Sequence, residues 1–161
     1  MKRNSFATVN ATQPFDHRPP HDHWPAHYHI SADGVGDDHF IERDGIHFAG
    51  THLILDLWGA NELDDLQLME STLRECVRKC RATLLHIHLH HFLPNGGISG
   101  VAVLAESHIS VHTWPERDFA AFDIFMCGSA RPAAAIGILE RAFCPTTMTI
   151  NEHLRGLAAD A

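Results

Sequence analysis

Four extended segments in the centre of the chain constrain its fold more than any other feature. In the first of them, three histidines alternate with aliphatic residues, which is the period of a strand with one imidazole face. The last two flank the short segment 115–118 and are typical of a hairpin. We therefore expect antiparallel strands at the centre of the fold. The four segments are 84–92, 98–105, 109–113 and 119–126.

Two amphipathic helices are predicted on either side of these strands. The first is capped by Asn61 or Asp64 and runs to about Arg81, and the second starts near Pro132 and stops at Pro145. Strands at 47–58 and 146–150 complete the order β-α-β-β-β-β-α-β. This order predicts an α+β two-layer sandwich, with an antiparallel sheet covered on one face by two helices.

The chain of 161 residues suits one domain, preceded by a segment of different character. Residues 1–44 are rich in proline and histidine and are expected to be an irregular extension, and residues 45–161 form the domain. Five tail histidines are compatible with a polar tail or with a metal site. These are His17, His21, His23, His27 and His29.

Charge and composition exclude several classes of partner. The formal net charge of −8 argues against nucleic acid as a ligand. No apolar run is long enough for a membrane span, and the amino terminus lacks the apolar core of a secretory signal, so a cytoplasmic protein is expected. The four cysteines form no metal-type pair and are expected to be thiols.

Residues 106–116 combine two acids, three hydroxyls, two imidazoles and an indole, and Cys127 follows. A hairpin symmetric about Arg117 places Ser107 opposite Cys127 and His112 opposite Phe122. A serine near a thiol and an imidazole indicates either nucleophilic catalysis or a chain that cleaves itself at Ser107. Ser107 and His112 are five residues apart and lie on opposite faces of a straight strand. For the two to act together, a bulge or bend must intervene, or His112 must come from another subunit.

The order and spacing of five short motifs resemble those of prokaryotic S-adenosylmethionine decarboxylases. The resemblance is strongest from Ser99 to Gly128 and extends more weakly over about residues 45–155. The motifs are His90-His91-Phe92-Leu93-Pro94, Ser99-Gly100-Val101, Glu106-Ser107-His108, His112-Thr113-Trp114-Pro115-Glu116 and Asp123 to Gly128.

This resemblance implies a proenzyme that cleaves itself between Glu106 and Ser107, giving chains 1–106 and 107–161. Ser99 is expected to hydrogen-bond the oxyanion of that reaction, and His112 to accept the Ser107 α-proton. Ser107 becomes a pyruvoyl cofactor, which forms a Schiff base with the substrate amine and accepts electrons as carbon dioxide leaves. Cys127 is expected to be the proton donor that completes decarboxylation.

The resemblance also implies the substrate, S-adenosylmethionine, and a place in spermidine synthesis. Phe92 and Trp114 are expected to hold the adenine and the sulfonium, and Glu116 the ribose. A homodimer with its active site near the interface and no metal ion is expected.

Two alternative functions remain open from the sequence. The pyruvoyl machinery is also compatible with an ornithine or arginine decarboxylase, although the aromatic pair favours a nucleoside. A non-enzymatic module would bind metal through the tail histidines or through His86, His88 and His90, since three imidazoles on one strand face are compatible with zinc. Without a nearby carboxylate or cysteine ligand, a polar or interface face is favoured for these three. Taken singly, Ser107, Cys127, Trp114 and Glu116 each have an ordinary structural explanation.

Overall fold

The computed structural model describes residues 40–157, which form a sheet of seven strands and two α-helices. All six strand pairings are antiparallel, and the expected α+β sandwich is confirmed. The strands are β1 (Ile41–Arg43), β2 (Ile46–Trp58), β3 (Leu84–His91), β4 (Ile98–Leu104), β5 (Ser107–Trp114), β6 (Phe119–Met126) and β7 (Thr147–Leu157). The helices are α1 (Leu66–Lys79) and α2 (Ile136–Phe143).

The helices cover one face of the sheet and leave the other face open. The strands are ordered β1-β2-β6-β5-β4-β3, and β7 pairs with β2 as well. Alternate residues of β2, such as Leu53, Leu55 and Leu57, are buried against the apolar stripes of α1 and α2. The intervening residues belong to the surface named here the open face, on which Trp58, Val103 and Trp114 are exposed.

Helix α1 begins later than the sequence predicts. Its N-cap is Asp65, whose side-chain Oδ1 accepts a 2.8 Å hydrogen bond from the Leu68 N–H, so the prediction of Asn61 or Asp64 is wrong. The helix ends at Lys79 rather than Arg81, because Arg81 has a φ of 61° and cannot continue it. The predicted apolar stripe is buried from Met69 onward.

Helix α2 is preceded by a short 3₁₀ segment. Pro132–Ala135 forms a 3₁₀ turn, with the proline at a position that needs no N–H donor. The α-helix proper covers Ile136–Phe143 and ends at Cys144, which adopts a left-handed conformation with a φ of 43°. The last helical residue, Phe143, therefore lies two residues before Pro145, the residue predicted to end the helix.

The β5–β6 hairpin is shifted by one residue from the predicted register. Trp114 pairs directly with Phe119, so His112 lies opposite Ala121 and not Phe122. The connection between β5 and β6 causes this shift. It has four residues, a 3₁₀ turn at Pro115–Arg117 and then Asp118 at a φ of 49°, and an even-numbered loop is not symmetric about one residue.

The sheet also extends further than predicted at both ends of the chain. Strand β1 pairs with the beginning of β2 and lies within the segment that we expected to be irregular. Strand β7 continues to Leu157 instead of ending at Ile150, because it pairs along nearly the full length of β2. The rest of the predicted extension, including its five histidines, lies outside the described residues.

The capping bond of α1 gives a direct test of this fold. Changing Asp65 to Ala removes the side-chain acceptor and is expected to lower the free energy of unfolding by about 1 kcal/mol. Denaturant titration measures the change. The matched control is Asp64→Ala, which removes a neighbouring exposed carboxylate that does not cap the helix. Equal losses in the two variants would contradict the assignment of the cap.

Candidate active site

Ser107 is placed by a tight turn at the beginning of β5. Leu104 and Ser107 are cross-strand partners, so only Ala105 and Glu106 connect β4 to β5. Glu106 closes this turn with a φ of 57°, a conformation that costs a residue with a side chain about 1–3 kcal/mol. The peptide bond between Glu106 and Ser107 therefore follows a strained residue. The Ser107 side chain is buried, with 8% of its surface exposed.

The Cys127 thiol lies against this turn. Its Sγ is 3.6 Å from Ser107 Oγ, 3.4 Å from the Glu106 carbonyl oxygen and 3.8 Å from Glu106 Oε2. The backbone N–H of Cys127 donates a 3.3 Å hydrogen bond to Ser107 Oγ. We name these three residues, Glu106, Ser107 and Cys127, the Ser107 cluster. The thiol and hydroxyl meet as predicted, although the register differs by one residue.

The second group of predicted site residues, named here the His112 cluster, lines a cavity of about 200 Å³. Ser99 Oγ and His112 Nδ1 are 2.8 Å apart, joined by a hydrogen bond across β4 and β5. The remaining members come from the 92–97 loop, the end of β5 and the turn that follows. The cluster consists of Phe92, Ser99, His112, Trp114 and Glu116.

A buried hydroxyl that sequence reasoning missed holds the His112 cluster in place. Thr113 Oγ1 accepts a 2.7 Å hydrogen bond from the Ile98 N–H and donates a 2.9 Å bond to the Leu63 carbonyl. It thereby joins β5 to the start of β4 and to the segment before α1. Gly97 approaches this point closely, since a Cβ there would lie 2.9 Å from the Thr113 carbonyl oxygen. The alternation of exposed and buried residues along β5 is the signal that Thr113 points inward.

The two clusters lie at opposite ends of β5. The pairing of β5 with β4 and with β6 runs without a bulge, so Ser107 and His112 point to opposite faces. Five residues of strand separate their Cα atoms by ~17 Å. The cavity of the His112 cluster shares no residue with the two cavities beside Ser107, which measure about 570 and 260 Å³. A larger cavity, of about 590 Å³ near Arg43 and Arg131, contains no predicted site residue.

Comparison with known proteins identifies the family. The family model described as S-adenosylmethionine decarboxylase matches residues 51–156, which is most of the folded domain. This chain belongs to the S-adenosylmethionine decarboxylase family.

Individual relatives agree with that assignment. An S-adenosylmethionine decarboxylase proenzyme of Thermomicrobium roseum is 42% identical over 112 residues, covering 69% of this chain and 97% of the relative. A proenzyme of the same name from Methanococcus vannielii is 53% identical over 111 residues, covering 67% of this chain and 90% of the relative. The crystal structure of the adenosylmethionine decarboxylase from Aquifex aeolicus superposes with a TM-score of 0.63 at 29% identity, covering 71% of this chain and 96% of that one.

A chain of polar contacts crosses the open face within the region that matches the family. Arg155 Nη1 lies 3.1 Å from His52 Nδ1, and arginine can only donate, so the His52 proton is on Nε2. That Nε2 lies 3.4 Å from Asp123 Oδ1, and Ser110 Oγ donates a 3.2 Å bond to Asp123 Oδ2. The contacts join β7, β2, β6 and β5. Sequence reasoning missed them, since the four residues are scattered along the chain.

A stack of three aromatic rings supports Trp114 on the same face. The ring centroids of Trp58 and Phe119 are 4.3 Å apart and those of Phe119 and Trp114 are 5.3 Å apart, with interplanar angles of 30° and 29°. Cross-strand pairing in β2, β6 and β5 aligns the three residues. The stack limits the rotation of Trp114, whose ring lies 6.3 Å from that of His112.

The other candidate ligands do not form a metal centre in residues 40–157. Cys76 and Cys80 are buried in the core, where burial above all raises the pKa of their thiols to about 12 and about 11. His86, His88 and His90 are exposed on β3. In this part of the chain, no three His, Cys, Asp or Glu side chains are grouped to hold a metal ion. Nor does the described part contain a helix with the length and apolar character of a membrane span.

The imidazole next to Ser107 gives the site a pH dependence. Desolvation lowers the pKa of His108 below its usual 6.5, the nearby His52 lowers it further, and Asp123 opposes both. A histidine with a lowered pKa stabilises the fold above pH 6.5, and this contribution is lost as the pH falls through the folded-state value. We therefore expect the free energy of unfolding to decrease on acidification.

His108→Gln should reduce this decrease, since the variant lacks the imidazole. Denaturant titrations between roughly pH 7.5 and pH 5 measure the slope. The matched control is His86→Gln, which removes an exposed imidazole from the same face and is expected to leave the slope unchanged. A wild-type slope in His108→Gln would contradict the assignment.

Proposed function

We propose that the chain is a self-processing, pyruvoyl-dependent S-adenosylmethionine decarboxylase that supplies decarboxylated S-adenosylmethionine for spermidine synthesis. One observation carries the self-processing part. In a chain of this family, the Ser107 hydroxyl lies 3.6 Å from the Cys127 thiol, and Ser107 directly follows Glu106, whose backbone is strained. Curated relatives named as proenzymes support the same reading.

Self-cleavage begins with attack of Ser107 Oγ on the Glu106 carbonyl carbon. The amide C–N bond breaks, and an ester forms between Glu106 and the Ser107 oxygen. Removal of the Ser107 α-proton then expels the Glu106 carboxylate from Cβ. Water replaces the nitrogen of the remaining dehydroalanine, so ammonia leaves and a ketone remains at residue 107. The strained φ of Glu106 favours this sequence, because cleavage releases the strain.

The pyruvoyl group supplies an electron sink for loss of carbon dioxide when it is present. The residues around Ser107 fit such a group. Its keto oxygen would take the place of the Ser107 amide nitrogen and its methyl group that of the serine side chain, beside the Cys127 N–H and thiol that contact Ser107 Oγ. The Cys127 thiol holds a proton within reach of residue 107 and delivers it to the substrate α-carbon. The burial of Ser107 limits the access of water.

The His112 cluster supplies the groups that recognise the substrate. Phe92 and Trp114 present aromatic faces, which attract a sulfonium cation and stack on a purine. The Glu116 carboxylate accepts hydrogen bonds from ribose hydroxyls. Within the same cavity, the Ser99–His112 pair provides the hydroxyl and the proton acceptor needed for self-cleavage. The family match and the aromatic rings favour S-adenosylmethionine over ornithine or arginine, and carbon dioxide release from the three substrates tests that choice.

The separation of the two clusters supports a homodimer with shared active sites. Within one chain, His112 lies ~17 Å from Ser107 along a strand without a bulge. No side-chain motion closes that distance. Two copies whose open faces meet in opposite directions would place the His112 cluster of one protomer against the cavity of about 570 Å³ of its partner, which is lined by Ser107 and by the open-face residues His52 and His108. Each dimer then has two complete sites.

Ser107→Ala should abolish self-cleavage, because the variant has no hydroxyl to attack the Glu106 carbonyl. Denaturing electrophoresis should show one uncleaved chain, and the purified variant should have no decarboxylase activity. The matched control is Ser110→Ala, which removes another hydroxyl of β5 that contacts Asp123 and not Glu106, and which should still be cleaved. Cleavage of Ser107→Ala at the same position would refute the assignment.

Co-expression of Ser107→Ala with His112→Ala tests whether the sites are shared. Hybrid dimers would contain one site without either group and one site with both, so cleavage should reappear, and only in chains that carry His112→Ala. Different affinity tags on the two chains identify the cleaved one. Each variant expressed alone is the control and should remain largely uncleaved. No restored cleavage in purified hybrid dimers would show that both groups act within one chain.

A further inference from the structure

The Phe92 ring lines the cavity of the His112 cluster from an exposed position. It directly follows the last residue of β3, and 48% of its surface is exposed. Two backbone hydrogen bonds close the loop that begins with it. The Phe92 N–H donates to the Gly97 carbonyl at 2.8 Å, and the Gly96 N–H donates to the Phe92 carbonyl at 2.8 Å. These bonds fix the backbone of Phe92, so the orientation of the ring depends on what the ring itself contacts.

The imidazole of His90 makes such a contact. The two ring centroids are 4.5 Å apart and the ring planes meet at 70°, which is the edge-to-face arrangement that aromatic pairs favour. Within residues 40–157, no other aromatic ring contacts Phe92. The angle of the Phe92 ring to the cavity is therefore set largely by His90.

His90 differs in this respect from the other two alternating histidines of β3. His86 and His88 are exposed on the same strand face, and in the described part of the chain neither makes a ring contact or a hydrogen bond. The alternation of the strand explains why three imidazoles share a face. It does not explain the contact of the last one with a residue of the cavity.

We infer that His90 is a positioning residue for substrate recognition, whose imidazole holds the Phe92 ring in the orientation that binds the substrate. The inference rests on the proposed function, in which Phe92 and Trp114 hold the adenine and the sulfonium. A ring that is already oriented before binding loses less conformational freedom when the substrate arrives, and the affinity is correspondingly higher.

The position of His90 on the sheet also places it beside the pair proposed for self-cleavage. His90 is the cross-strand partner of Ser99, and Ser99 is the partner of His112. Ser99 Oγ is hydrogen-bonded to His112 Nδ1, and among the described residues His90 is hydrogen-bonded to neither. We therefore expect His90 to affect substrate binding and not self-cleavage.

His90→Ala tests this role. The KM for S-adenosylmethionine should rise roughly 3- to 10-fold, the range that aromatic pairs contribute. Self-cleavage and kcat should stay at the wild-type level, because the ring binds the substrate equally in the ground and transition states. His90→Phe, which keeps a ring at this position, should restore a KM close to that of the wild type. The matched control is His88→Ala, which removes an exposed imidazole of the same strand and should change none of these values.

A double-mutant cycle tests whether His90 acts through Phe92. His90→Ala should add nothing to the rise in KM caused by Phe92→Ala, because the ring to be oriented is absent in that variant. Initial rates of carbon dioxide release give KM and kcat, and denaturing electrophoresis gives the extent of self-cleavage. Independent, multiplying increases in the double variant would contradict the inference.

Three other outcomes would overturn the role of His90 and leave the proposed function intact. These are an unchanged KM in His90→Ala, a His90→Phe variant as impaired as His90→Ala, and loss of self-cleavage in His90→Ala, which would place His90 with Ser99 and His112. A wild-type protein that cleaves itself and releases no carbon dioxide from S-adenosylmethionine would refute the proposed substrate, and the role of His90 would fall with it.

Discussion

The uninterrupted pairing of β5 is the constraint on which the site depends. Hydrogen bonding to β4 on one side and to β6 on the other fixes the alternation of faces along its eight residues. Ser107 is consequently buried beside Cys127, while His112 is on the open face beside Ser99. A single bulge would bring them to one face, but it would also turn Thr113, and any of Ile109 and Val111 that follow the bulge, out of the buried face. The core therefore enforces the separation of the clusters.

The asymmetry of the sheet explains where function is found. One face carries the helices and a continuous apolar core, and this face provides stability. The open face carries imidazoles, carboxylates, an arginine and three stacked aromatic rings, none of which is needed for a core. Polar groups placed this way are costly where water is excluded unless they are paired. Arg155 contacts His52 and Ser110 donates a hydrogen bond to Asp123, while His52 Nε2 approaches Asp123 to 3.4 Å without forming a hydrogen bond. The many histidines of residues 40–157 are largely accounted for by this face.

Local sequence patterns predicted most of the fold and the approach of Ser107 to Cys127, whereas the resemblance to the family supplied the other candidate site residues. Periodicity identified both helices and six of the seven strands, because apolar stripes and alternation are local properties. Strand β1 was missed because three residues carry too little pattern. The N-cap was misplaced because Asn61, Asp64 and Asp65 are all good caps, and only the path of the chain selects Asp65. The predicted register of the β5–β6 hairpin was wrong by one residue, because the number of residues in the connection depends on the left-handed conformation of Asp118. The contact between Arg155 and His52 joins residues 103 positions apart, which one sequence cannot reveal.

The central claim is that this chain cuts itself before Ser107 and makes its own cofactor there. The most direct test is the intact mass of the purified protein under denaturing conditions. The account predicts two chains, residues 1–106 and a 55-residue chain 107–161 whose amino terminus is blocked and lighter than serine would make it. A single chain of 161 residues that stays intact over days in the folded protein would contradict the account.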